Sequence, residues 1–184
     1  METGRFNARK LVFSAVAIAL SAVCALVVLF RLPFGGSVTL MSMFFIALIG
    51  YWYGPVWGIM SGFVFGIINF MEDPIFLNLI QACCDYFFAF AALGLSGFFS
   101  KKKHGLAIGY IVGICGRGIF QSIGGYAFWM EYMPEDFPQT FAFAYPVIYN
   151  FSVIIAEGIL TIIIINIPPV KKAIDHIGKI ATAS

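Results

Sequence analysis

Charge is scarce in this chain, and what there is lies in clusters. Only 11% of the 184 residues are Asp, Glu, Lys or Arg against 61% hydrophobic, and the mean hydropathy is +0.94. That balance excludes an ordinary soluble domain and places the chain among helical membrane proteins, read as one domain over 1–184. A formal charge of +2 is too small to attract nucleic acid. Histidine is nearly absent: His104 and His176 both fall in polar flanks, which leaves no Ser and His pair within the apolar segments. The four cysteines, Cys24, Cys83, Cys84 and Cys115, form neither a CxxC pair nor a metal-ligand spacing, and inside apolar runs they behave as small hydrophobes. No Walker A motif or nucleotide-binding glycine motif is present, so any ATP-driven step must use another subunit. The expectation is a protein without catalytic residues, metal or cofactor.

Of the 11 Lys and Arg residues, nine sit at Arg5, Arg9 and Lys10, at Lys101 to Lys103, and at Lys171, Lys172 and Lys179. The acids Glu72, Asp73, Glu131, Glu135 and Asp136 fall in the two intervening loops. Positive residues collect on the cytoplasmic side of a membrane, so both termini are expected there, with an even number of spans. Six spans follow from the apolar runs, at about 10–30, 38–53, 55–70, 75–99, 105–128 and 143–167. The first follows Arg9 and Lys10 like a signal peptide, but it is long for one, and no small-residue cleavage site precedes Arg31. It reads as a retained helix, with Ala15, Ala19 and Ala22 spaced to admit a neighbouring helix. Gly58, Gly62 and Gly66 give the third span a flat face for close packing, and Gly54-Pro55 makes spans two and three antiparallel neighbours.

A few polar groups remain at membrane depth, where they persist against a cavity, a partner or a substrate. Asn78, Gln81 and Asp85 share one face of the fourth span, with Asp85 roughly 13 Å deep. Arg117 lies at roughly 16 Å in the fifth span, nearly level with Asp85. Two readings compete. Asp85 and Arg117 form an ion pair that joins two helices, or they line a pocket together with Gln121, Asn150, Trp129 and Tyr145. Aromatic faces beside a carboxylate suit a heteroaromatic, cationic ligand.

The segments FNARK, GGSVTLMSM, QACCDYFFAFAALGLSGFF, RGIFQSIGGYAFW and YPVIYN, in this order, carry a resemblance. The chain resembles the thiamine-specific substrate-binding S components of bacterial energy-coupling factor transporters. The resemblance implies an all-α S-component fold in the bacterial plasma membrane. It also implies high-affinity thiamine binding, and docking on a shared transmembrane T subunit that carries two ABC-type ATPases. Carried onto this sequence, the ligand-binding positions are Asp85, Tyr86, Arg117, Gln121, Trp129, Tyr145 and Asn150, with Gly36 and Ser37 in the first loop. Ala15 and Ala19 match the small residues that contact the shared subunit. Some relatives have Glu at Asp85 and His at Gln121, and a first-loop tryptophan of some members falls near Gly35 here. An S component for another vitamin or a thiamine precursor, and a structural membrane scaffold, are the alternatives. Ligand binding separates them, because a scaffold binds nothing.

Overall fold

A computed structural model describes residues 8–32, 36–130, 133–135 and 137–183. The helices are α1 (Ala8–Leu26), α2 (Phe44–Tyr53), α3 (Pro55–Glu72), α4 (Leu79–Phe99), α5 (Gly105–Gly124), α6 (Tyr145–Asn166) and α7 (Pro168–Thr182). Five of the first six are long and apolar enough to cross a membrane, and α2 is the short one. This is the all-helical membrane architecture expected, with three local departures.

First, α1 stops at Leu26 rather than Phe30, and Val28–Arg31 forms a strand, β1, antiparallel to β2 (Ser37–Thr39). Extended β-branched and aromatic residues fit a pleated pair as well as a helix, and the two strands pair Val28 with Thr39 and Arg31 with Ser37. Second, the span expected over 38–53 is therefore strand, turn and a ten-residue helix. Third, α4 begins at Leu79 and not Ile75. Asn78 is its N-cap, accepting a bond from the Gln81 amide at 3.0 Å, so residues 75–77 lie outside the helix. Asp85 lies against Gly124, seven residues along α5 from Arg117, so it is shallower than Arg117 instead of level with it.

Apolar residues on this protein largely face outward, as they do when lipid is the solvent. The buried face of α1 is Ser14, Ala17 and Ser21, whereas Leu11, Val12, Ala15, Val16, Ala19 and Leu20 are exposed. Packing between helices relies on small residues. A β carbon on Gly58 would fall 2.6 Å from the Gly50 Cα and 2.7 Å from the Gly94 Cα, so α2, α3 and α4 touch backbone to backbone there. The core around α2 contains Phe44, Ile46, Ala47, Leu48, Phe65, Phe90, Leu93 and Tyr110.

The last helix, α7, lies beyond the expected spans. It folds back beneath α1 and α2, where the Tyr53 hydroxyl donates to the Ala181 carbonyl at 3.1 Å. Six traverses would put both ends of the bundle on one face. In a background without the native cysteines, Ser100→Cys and Thr140→Cys should label from opposite sides of the membrane. Labelling of both from the same side would rule out the six-traverse topology.

Candidate ligand pocket

A cavity of about 420 Å³ opens between the β hairpin and the facing ends of α3, α4, α5 and α6. That is a size suited to a small organic ligand. Its outer part is lined by Arg31, Glu72, Asp73 and Tyr145, and its inner part by Ser42, Met43, Phe90, Arg117, Ile154 and Glu157. The hairpin is tied to α3 at the rim by Arg31 and Asp73, 3.9 Å apart. Both are well exposed, so the tie contributes little energy.

Asp85 stands on a π-helical turn, Cys83–Phe88, and lies against Gly124, after which α5 continues as a second π-helical segment, Gly125–Trp129. Such turns widen the helix and re-aim side chains, often at functional sites. The Gln81 side chain, fully buried, fixes the carboxylate by donating to Asp85 Oδ2 at 2.7 Å. The rest of that amide is used on backbone: Nε2 also donates to the Ile75 carbonyl at 3.2 Å, and Oε1 accepts from the Leu77 amide at 3.0 Å. Asp85 Oδ1 lies against Gly124, where a β carbon would sit 2.5 Å from it. The glycine lets the two helices close around the carboxylate.

Arg117 makes no ion pair within 4.0 Å among the described residues. Its guanidinium stacks on Phe90, 4.3 Å from the ring centroid, and its buried Nε has no hydrogen-bond partner there. The helix-joining Asp85–Arg117 pair is thus not formed.

The sequence gives Glu157 no role. It is 2% exposed and sits where β2 turns into α2. Oε2 accepts from the Thr39 amide at 3.1 Å and the Thr39 hydroxyl at 2.6 Å. Oε1 accepts from the Ser42 hydroxyl at 3.1 Å and the Met43 amide at 3.2 Å. The turn that aims these donors at one carboxylate passes through Met41 in a left-handed conformation, φ 61°. Glu157 therefore closes the N-terminus of α2 from another helix, in place of a local cap. A lone acid within the apolar run of α6 was the only signal in the sequence that could have found it.

The other expected positions come together at the same cavity, with different tasks. Gly36, Ser37, Gln121, Tyr145 and Asn150 line it. The Gly36 amide donates to the Tyr149 hydroxyl at 2.9 Å, a second link between hairpin and α6. Tyr145 packs edge-on against Phe137, centroids 5.0 Å apart. Asn150 Nδ2 donates to the Pro146 carbonyl at 2.8 Å. Tyr86 lines the cavity, but its hydroxyl is committed to backbone: it donates to the Asp73 carbonyl at 2.9 Å and accepts from the Ile75 amide at 3.0 Å. It holds the loop between α3 and α4. The Trp129 side chain, with Gly35 and Tyr132, lies outside the described residues.

The family model described as thiamine transporter protein (Thia_YuaJ) matches residues 11–176. The chain belongs to this thiamine transporter family. The thiamine transporter ThiT of Bacillus subtilis (strain 168) is 28% identical over 148 residues, covering 73% of this chain and 75% of that protein. A solved structure of ThiT from Listeria monocytogenes superposes with a TM-score of 0.63 at 19% identity, covering 95% of this chain and 94% of that one. This likeness supports the fold. As a member of the thiamine transporter family with several membrane-length helices, this protein is a multi-pass protein of the bacterial plasma membrane, a thiamine-binding subunit and not an enzyme.

Proposed function

We propose that thiamine binds in the 420 Å³ cavity, and that the loaded protein docks through α1 on an energy-coupling factor T subunit carrying two ATPases. The observation that carries the binding site is Asp85, a carboxylate in a membrane-length helix, held by Gln81 and opening on an aromatic cavity. Carboxylates at membrane depth mark substrate sites by default, and thiamine brings what complements one, a thiazolium charge and an aminopyrimidine that donates hydrogen bonds. Asp85 offsets the cation or accepts from ring donors, Tyr145 and Asn150 bond the pyrimidine edge, and Trp129 supplies the stacking face. Arg117, Gln121, Gly36 and Ser37 complete the wall.

Docking through α1 is supported by Ala15 and Ala19, which lie on its exposed face and not against the bundle. A flat alanine face lets a partner helix approach closely. Quenching of intrinsic Trp fluorescence by thiamine should give tight binding for the detergent-purified wild type and an unchanged affinity for Ala15→Trp and Ala19→Trp. Uptake by cells carrying either variant should fall to background. Absence of thiamine binding by the wild type would remove the cavity assignment. Equal loss of binding and uptake in the variants would remove only the docking face.

A further inference from the structure

A second cavity, about 600 Å³, lies at the opposite end of the same helices, between the end of α2, the start of α5 and α7. Lys101, Lys171, Lys179 and His104 line it, and Asp175 is the one acid among its lining residues. None of the three lysines is within 4.0 Å of a carboxylate among the described residues. Three ammonium groups from two separate segments thus share one concavity with a single carboxylate. The start of α5 opens into the same space at Gly105, Leu106 and Ala107, adding the positive end of a 20-residue helix. The deeper wall is apolar and aromatic: Trp52, Leu106, Ile165 and Ile174.

We propose that this cavity binds the phosphate headgroup of an anionic membrane phospholipid. A phosphate answers the lysines and the helix end, and such basic hollows between membrane helices suit anionic headgroups. The apolar wall decides between a lipid and a soluble phosphate. The cavity sits at the ends of membrane-length helices, where Trp and Tyr mark the interface, and Trp52, Ile165 and Ile174 offer a surface for the glycerol and upper acyl chain that a free anion would leave uncovered. The geometry of α7 serves the same end. Pinned by Tyr53 to Ala181, it holds Lys171 and Lys179 beneath the bundle, although an amphipathic segment of this kind could otherwise lie along the membrane surface.

The test is native mass spectrometry of delipidated protein offered phosphatidylglycerol or phosphatidylcholine, for the wild type, for Lys101→Gln/Lys171→Gln/Lys179→Gln, and for Lys172→Gln, which lies outside the cavity. The wild type and Lys172→Gln should retain phosphatidylglycerol about tenfold better than phosphatidylcholine, and the triple variant should lose that preference. Thiamine affinity should stay unchanged in the triple variant, which shows that it folds. Equal retention of the two lipids by the wild type, or an equal loss in Lys172→Gln, would overturn the site. Displacement of phosphatidylglycerol by millimolar inorganic phosphate would overturn the lipid assignment in favour of a soluble anion.

Discussion

Asp85→Asn should weaken thiamine binding by at least about a hundredfold, in line with the 1.5–3 kcal/mol typical of a hydrogen bond to a charged group plus the lost charge offset. The expectation is specific because of what Asp85 does not do. Arg117 lies over Phe90 and forms no ion pair with Asp85, so the two charges do not depend on each other. Asp85→Asn with Arg117→Gln should therefore fold and bind no better than Asp85→Asn alone. Asp85→Glu should keep part of the affinity, since the longer side chain retains the charge but must share space with Gly124. Titration by quenching of intrinsic Trp fluorescence, with melting measured without ligand, separates the cases. Near-wild-type affinity in a folded double variant would make Asp85 a helix-joining residue after all.

Glu157→Ala should cost about 3 kcal/mol of stability, because it removes the acceptor of the buried Thr39 and Met43 amides and of the Thr39 and Ser42 hydroxyls at the inner end of the cavity. For a chain of this length that corresponds to a fall of about 10 °C in melting temperature. Glu157→Gln should lose less, since its carbonyl oxygen still accepts, while its amide group meets donors instead of acceptors. Thiamine affinity should fall in parallel, because the same bonds hold the hairpin that presents Gly36 and Ser37 to the cavity. Unchanged melting in Glu157→Ala would show that the four bonds contribute nothing to the fold.

The two carboxylates also mark the limit of what the sequence reveals. Asp85 was legible because its support is local: Gln81 lies one helical turn away, and the spacing puts both on one face. Glu157 takes its donors from Thr39 to Met43, more than 110 residues earlier, and no periodicity encodes such a meeting. The β hairpin escaped for a related reason. Val28 to Arg31 continues an apolar run without a helix breaker, and only pairing with Ser37 to Thr39 makes it a strand. The membrane spans were legible as apolar runs, and the glycine face of α3 as a spacing. The start of α4 was misplaced because the apolar residues Ile75 to Leu77 look helical until Asn78 is recognised as a cap. Helix α7 was hidden in the basic flank after Pro168 and Pro169, which read as an end of structure but serve as the first turn of another helix.

The shortness of α2 sets the distance that a bound molecule still has to travel. Its ten residues rise about 15 Å, half of the roughly 30 Å hydrocarbon layer, and the inner lining of the ligand cavity, at Ser42 and Met43, lies where that helix starts. A ligand seated there lies about 15 Å, the length of α2, from the opposite end of that helix. Whatever rearrangement completes import has to uncover only the remaining depth, and that depth is filled by the tightly packed residues Ile46 to Gly50, which are buried throughout. The passage is closed by a plug as stiff as a protein core, so release to the inside calls for a movement of whole helices and cannot be achieved by a few side chains swinging aside.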